Sequence, residues 1–105
     1  MDLISKLKPV FKENEIVTAG NYSGRNDGAG VVLWMSKRAV QHYGKKPRAR
    51  IIAKAVAGVS SEYMGIGPVP ATRKALKLAG LKLDDIRFVE INEAFAAQFL
   101  AVIRN

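Results

Sequence analysis

The chain contains no cysteine among its 105 residues. Disulfide bonds are therefore excluded, and so is nucleophilic catalysis by a thiol that this chain itself supplies. Histidine occurs once, as His42, and its neighbours Gln41, Tyr43 and Gly44 include neither a nucleophile nor an orienting carboxylate. We therefore interpret His42 as a surface residue of a helix rather than as a general base.

Long apolar runs are also missing, since no stretch approaches the ~18 residues that a membrane-spanning helix needs. Residues 1–11 have neither the apolar core of a signal peptide nor the Arg- and Ser-rich, acid-poor composition of an organelle presequence. The peroxisomal C-terminal tripeptide is absent as well. We expect a cytoplasmic protein without membrane partners, and a mitochondrial or peroxisomal location stays open if residues are missing at the ends.

Acidic residues are lacking between Asp27 and Glu62, in a chain whose net charge is +8. Cationic residues populate the same interval: Lys37, Arg38, Lys45, Lys46, Arg48, Arg50 and Lys54. The basic segment is either a solvated surface or a surface that attracts a polyanion. Nucleic acid is disfavoured as this polyanion, because no aromatic platform or recognisable nucleic-acid-binding module accompanies the charges.

The sequence does contain hydrophobic patterns typical of strands. Residues 29–35 form a continuous apolar run, which predicts a strand covered on both faces. Residues 49–59 alternate, with Ala53, Ala55 and Ala57 on one face, and residues 86–91 are rich in β-branched and aromatic side chains. The patterns therefore predict three strands.

Helical signals lie between these strands. Ser36 is a candidate N-cap for a short helix that runs to His42 and ends at Gly44. A second helix begins at Pro70 in the prediction and ends at Gly80 in a Schellman motif. A short N-terminal helix is limited by Pro9. Together with the strands, these helices indicate an α/β fold.

The last predicted helix begins at Glu93, with Asn92 as its N-cap. Gln98 is its only polar residue before Arg104, and a helix that is apolar all round belongs inside a larger protein. A domain of this size buries only about 60–65% of its unfolded surface. We therefore expect more chain, or another chain, to cover this helix.

Three stretches of the sequence carry a resemblance to a known family. Residues 18–30 read TAGNYSGRNDGAG, residues 64–76 read MGIGPVPATRKAL, and residues 90–98 read EINEAFAAQ. In this order they resemble the thiolase family, which includes acetyl-CoA acetyltransferases and 3-ketoacyl-CoA thiolases. The resemblance implies a partial thiolase-like layered αβαβα fold. It implies that residues 1–44 end the N-terminal domain and that residues 45–105 form the first half of the C-terminal domain.

The resemblance also implies roles for residues near the substrate. Asn92 is expected to hold the water that donates to the thioester oxygen, and Ser23 is expected to lie beside the pantetheine arm of coenzyme A. Met64, Ala94 and Phe95 are expected to line the acyl pocket. The alternatives stay open: Asn92 as an ordinary N-cap, and Met64 as filler of a hydrophobic core.

Three further residues have structural roles by resemblance. Asn26 and Asp27 are expected to hold the shape of the loop around Ser23, although Asn26-Asp27-Gly28 alone is equally typical of a hairpin turn. Glu93 is expected to be a buried carboxylate that joins the helix start to neighbouring loops. Tyr22 and Arg25 depart from the small or aliphatic residues usual at these places in the family, which leaves the substrate class open.

Thiolase chemistry requires residues that this sequence does not have. In the family, one cysteine holds the acyl group and a second moves a proton at the α-carbon, and a Gly-His-Pro motif follows the region matched here. The sequence is therefore expected to be a segment of a thiolase-type acyltransferase that is inactive alone. It would use acyl-CoA as substrate with no further cofactor or metal, and assemble with the remaining thiolase segments in a homo-oligomer. The alternative is a non-catalytic fragment that mediates interaction or assembly.

Overall fold

The computed structural model describes residues 3–105. Three α-helices are formed in this part of the chain: α1 (Lys37–His42), α2 (Pro68–Ala79) and α3 (Ala96–Ile103). Short 3₁₀ segments occur at Ile4–Lys6, Ser61–Ile66 and Leu83–Asp85. Within residues 3–105, β pairing is limited to two isolated antiparallel bridges, Pro9 with Thr18 and Tyr22 with Phe95.

The three segments predicted as strands are not paired in a sheet within the described residues. Residues 29–35, 49–59 and 86–91 carry no ladder, so the assignment of strands there was wrong for this chain by itself. A ladder needs a second strand at about 4.8 Å, and no described segment supplies one. The predicted period of two is nevertheless visible in residues 51–58, where Ala53, Ala55 and Ala57 are half-buried and the residues between them are exposed.

Helix α2 has the predicted stop but an earlier start. Pro68 rather than Pro70 is its first residue, because the turn before it already has helical backbone angles at Gly67. At the other end, Gly80 is left-handed with φ of 68°. The N–H of Leu81 donates to the Leu76 carbonyl at 3.0 Å and that of Gly80 to the Lys77 carbonyl at 3.3 Å. These two bonds are those of a Schellman motif, which confirms the prediction.

Helix α1 follows its local sequence. The N–H of Ala39 donates to the Ser36 hydroxyl at 3.2 Å, so Ser36 is the predicted N-cap. Gly44 has a φ of 56° just after the helix, where a left-handed residue ends the helical path. His42 is exposed and its ring meets the edge of the Tyr43 ring at a centroid distance of 4.7 Å.

Helix α3 begins three residues later than predicted. Its N-cap is Phe95, with an extended backbone (φ −139°, ψ 128°), so the assignment of Asn92 as N-cap and of Glu93 as first helical residue was wrong. The cause lies elsewhere in the chain. The carbonyl of Ala94 and the N–H of Ala96 are both bonded to the 21–23 segment, which keeps residues 94 and 95 out of the helix.

Packing leaves the described chain without a buried core. No residue of 3–105 is fully buried, hydrophobic or polar. The radius of gyration is 18.7 Å, whereas a compact domain of about 100 residues has one of about 13 Å. This agrees with the expectation that α3 requires a cover from outside the described residues.

A few polar contacts join the helices across the chain. The Lys74 ammonium donates to the Val56 carbonyl at 3.3 Å, and the Arg73 guanidinium donates to the Asn105 carbonyl at 2.7 Å. Helix α2 is thereby fixed to the 49–59 segment on one side and to the end of α3 on the other. Among residues 3–105, every helix is too short or too polar to cross a bilayer.

Candidate functional site

The 21–23 segment and the 94–96 segment meet in a short antiparallel contact. The N–H of Ser23 donates to the Ala94 carbonyl at 2.8 Å, and the N–H of Ala96 donates to the Asn21 carbonyl at 3.0 Å. These bonds flank the bridge between Tyr22 and Phe95. The contact brings the two motifs of the sequence, the Asn- and Gly-rich loop and the Asn-Glu-Ala-Phe segment, to one place.

Asn21 holds the loop side of this contact from behind. Its Oδ1 accepts from the N–H of Thr18 at 2.8 Å, and its Nδ2 donates to the Ile16 carbonyl at 2.7 Å. The side chain therefore replaces two backbone partners within a tight turn. Sequence reasoning did not select Asn21, although asparagine is a common turn residue whose side chain bonds to nearby backbone groups.

Three aromatic rings pack beside the contact. Tyr22 stacks on Phe95 with centroids 6.2 Å apart, and Phe11 lies 6.1 Å from Tyr22 and 6.2 Å from Phe95. Distances and angles of this kind are those of favourable aromatic pairs. The sequence does not indicate this role for Phe11, because its position against the later motifs depends on the bridge that pairs Pro9 with Thr18.

An open hollow of about 320 Å³ lies at the contact. Its walls are formed by Gly20, Asn21, Tyr22, Ser23, Glu93 and Ala96. Ser23 and Glu93 therefore face the same space, one from each motif. Glu93 is exposed, so the burial expected for its carboxylate is not found within the described residues.

Asn92 directly precedes Glu93 in the sequence but does not line the hollow. Its side chain is exposed and forms no hydrogen bond with the rest of residues 3–105. Since Phe95 is the N-cap of α3, the amide of Asn92 is not used to cap the helix. N-capping of α3 therefore does not explain the asparagine at this position.

The remaining predicted residues differ in their position relative to the contact. Ala94 and Phe95 are half-buried at the contact, whereas Asn26 and Asp27 are exposed in the loop after it. The Asn26 amide donates to the Gly24 carbonyl at 3.3 Å, within its own loop. Met64 is 71% exposed in the 3₁₀ segment Ser61–Ile66. The structure thus brings Ser23, Glu93, Ala94 and Phe95 together, and leaves Asn26 and Asp27 outside the contact.

Helix α3 connects Met64 to this region. The Gln98 amide donates to the Gly65 carbonyl at 3.0 Å, so the turn that carries Met64 rests on the first turn of α3. Gln98 was noticed in the sequence only as the single polar residue of an apolar helix. No sequence pattern identifies Gly65 as its partner, because the two residues are distant in the chain.

Comparisons with known proteins agree with this geometry. Residues 1–38 match the model of the thiolase N-terminal domain, and residues 45–105 match that of the thiolase C-terminal domain. The acetyl-CoA acetyltransferase of Syntrophomonas wolfei is 51% identical over 104 residues, which are 99% of this chain and 26% of that protein. The mitochondrial 3-ketoacyl-CoA thiolase of Homo sapiens is 52% identical over 105 residues, again 26% of its length.

Solved structures give the same result. The crystal structure of human mitochondrial 3-ketoacyl-CoA thiolase in complex with CoA superposes with a TM-score of 0.94 at 53% identity, over 98% of this chain and 26% of that one. Bacillus anthracis acetyl-CoA acetyltransferase superposes with a TM-score of 0.93. The predicted α/β class with a partial thiolase fold is confirmed, although the chain spans only about a quarter of its relatives' length. The chain belongs to the thiolase family.

Proposed function

We propose that this chain is the central segment of a thiolase-type acyltransferase. Such an enzyme cleaves acetoacetyl-CoA or another 3-ketoacyl-CoA with CoA into two acyl-CoA molecules, or forms it by condensing two acyl-CoA molecules with release of CoA. The observation that carries the proposal is the contact between Ser23 and Ala94, because it places the two thiolase motifs around one hollow. The boundary between the two thiolase domains is proposed to lie in the basic linker around residues 43–48.

In this proposal each motif supplies one part of a thioester site. Ser23 contacts the pantetheine arm from the loop, while Ala94 and Phe95 shape the acyl pocket. Asn92 holds the water that donates to the thioester oxygen. The last role is supported by the exposed and unbonded Asn92 amide, which the helix does not use as a cap. Developing negative charge on that oxygen is what such a donor stabilises.

Turnover requires groups from outside this sequence. The chain has no cysteine, so a nucleophile for the acyl group and a thiol for proton transfer at the α-carbon must come from other segments. The lack of any fully buried residue in 3–105 supports the same dependence, because an enzyme site needs rigid walls. The chain alone is therefore proposed to be inactive.

A chimera tests the proposal. Residues 1–105 replace the 105 aligned residues of human mitochondrial 3-ketoacyl-CoA thiolase, which supplies the remaining segments. We expect the chimera to cleave acetoacetyl-CoA in the presence of CoA, and the isolated chain to give no turnover. A chimera that has the native mass and circular dichroism of the host but no thiolase activity would refute the proposal. Turnover by the isolated chain would refute the need for cysteines from elsewhere.

The exposed apolar surface favours a second candidate, a non-catalytic fragment that docks on other thiolase segments. Val31, Val32, Leu33 and Trp34 are between 68% and 97% exposed, which is unusual for adjacent large apolar residues. Native mass spectrometry of the chain mixed with the separately expressed flanking segments of the human relative distinguishes the two. A stable complex that turns over supports the enzyme, and a stable complex without turnover supports the docking role.

A further inference from the structure

Gln98 is the one polar residue of α3, and its amide has an uneven environment. Its Nε2 donates to the Gly65 carbonyl at 3.0 Å, while its Oε1 is buried and accepts no hydrogen bond from residues 3–105. Placing an amide in an apolar helix opposes folding unless its polar atoms are paired. A leucine or methionine at this position would fill the same space without that penalty. The amide is therefore better explained by the bond that it makes than by helix packing.

Gly65 packs so closely on the Gln98 side chain that a larger residue at position 65 requires a shift. A Cβ at position 65 would lie 2.9 Å from the Gln98 Cγ and 3.6 Å from its Cβ. Real Cβ atoms essentially never approach other atoms as closely as 2.9 Å, so the Gln98 side chain or the turn would have to move if residue 65 carried a Cβ. The hydrogen bond and this contact together fix the turn against α3 at one distance.

Met64 is the residue that this arrangement places. It directly precedes Gly65, and its carbonyl accepts from the N–H of Gly67 at 3.1 Å, which closes the turn. Its side chain is otherwise 71% exposed, so few contacts of its own hold it. Among the described residues, the hydrogen bond from the Gln98 amide to the Gly65 carbonyl joins this turn to α3.

We propose that Gln98 is a positioning residue, which sets the distance of Met64 from the Phe95 end of α3. Through the acyl-pocket role that the thiolase resemblance implies for Met64, this distance sets the length of the acyl chain that the site accepts. The proposal rests on the proposed function for the substrate class. Its structural half, the placement of Met64 by Gln98, does not. Gln98 itself touches no reacting atom in this proposal.

The test uses Gln98→Met in the chimera described above. Methionine keeps the length and the aliphatic stem of glutamine, so the packing on Gly65 is retained while the donor is lost. We expect the ratio of kcat/KM for acetoacetyl-CoA to that for a six-carbon 3-ketoacyl-CoA to change about tenfold, the size of effect that one or two methylenes have in an apolar pocket. Gln41→Met on the exposed helix α1 is the matched control and should leave the ratio unchanged.

A second pair of variants separates the hydrogen bond from simple space-filling. Gly65→Ala should disturb the turn, and adding Gln98→Ala removes the Cγ that the new methyl would meet. If Gln98 acts through its hydrogen bond, the double variant recovers the part of the thermal stability that Gly65→Ala loses to the clash, but not the chain-length ratio. Recovery of both would overturn the proposal, because space alone would then explain the contact.

A readout independent of turnover completes the test. The ¹³C-methyl NMR signal of Met64, assigned with Met64→Leu, should move or broaden in Gln98→Met and stay in place in Gln41→Met. An unmoved Met64 signal in Gln98→Met overturns the positioning role even in an active chimera. If the folded parent chimera shows no activity, the proposed function fails, and the Met64 signal still decides whether Gln98 places this residue.

Discussion

The backbone N–H of Ser23 donates to the carbonyl oxygen of Ala94 over 2.8 Å. This bond joins a loop of the region matched by the thiolase N-terminal model to the segment just before α3, in the region matched by the C-terminal model. The hollow lined by Ser23 and Glu93 lies beside this bond. The site therefore depends on backbone geometry at Ser23 as well as on the serine side chain.

Changing Ser23 to proline should separate these two roles. Proline removes the N–H donor, and Tyr22 before it lies in a β bridge, a backbone compatible with a following proline. We expect the chimera to lose about 1–3 kcal/mol of unfolding free energy in urea, the range for a lost hydrogen bond that leaves its partner unpaired. Ser23→Ala keeps the donor and should change stability by less than about 0.5 kcal/mol.

The side chain of Ser23 is then tested by kinetics in the same alanine variant. If the hydroxyl contacts the pantetheine arm, KM for acetoacetyl-CoA rises several-fold while the melting temperature stays constant. An unchanged KM would remove Ser23 from the proposed binding residues and leave it with a backbone role only.

Asn92→Ala should lower kcat without lowering stability. The amide forms no hydrogen bond within the described residues and does not cap α3, so its removal leaves the fold unaffected. We expect kcat of the chimera to fall about 100-fold or more, as on loss of an oxyanion donor. Asn26→Ala, in the exposed loop, is the matched control and should keep kcat. A large loss of stability with normal kcat would show that Asn92 is structural.

Asn21→Ala should destabilise the chimera more than any other asparagine variant in the loop. Two short side-chain hydrogen bonds, to Thr18 and Ile16, are lost together. We expect a loss of about 1–3 kcal/mol by urea unfolding. In contrast, Asn26→Ala gives up one exposed bond of 3.3 Å and should lose less than about 0.5 kcal/mol. Equal effects of the two variants would contradict the support that we assign to Asn21.

Gly80→Ala should destabilise the end of α2. The φ of 68° at this residue is unfavourable for alanine, and the Schellman bonds to Leu76 and Lys77 depend on it. We expect a loss of about 1 kcal/mol, measured by thermal unfolding of the chimera. Gly28 has no positive φ and no atom within 4 Å of an added methyl, so Gly28→Ala is the control and should be neutral.

The most accurate predictions from the sequence concern features that are determined by residues adjacent in the chain. The cap at Ser36 and the Schellman stop at Gly80 need only residues within one helical turn, and both were found as predicted. The start of α3 could not be predicted in this way. Asn92 has the right residue type for a cap, but hydrogen bonds from the 21–23 segment hold residues 94 and 95 extended, and they come from far away in the chain.

The predictions of the strands and of the candidate site both depend on contacts between segments that are far apart in the chain. The apolar run 29–35 has the composition of a buried strand, yet a strand is defined by a partner, and no described segment pairs with it. That Ser23 and Ala94 both lie near the substrate is an expectation from the resemblance alone, and the hydrogen bond between them was not predicted, since no spacing in the sequence relates these residues. The roles of Asn21 and Gln98 were missed because each depends on which backbone groups the folded chain brings next to the side chain.

The uncovered run Val31–Trp34 has a consequence for aggregation of the protein. It lies in a segment of seven apolar residues, 29–35, with no charge and no proline, which is the composition of segments that stack into cross-β aggregates. Whenever this run is uncovered, it can pair with the same run of another copy. The surface that packs on residues 29–35 therefore opposes aggregation as well as burying apolar area.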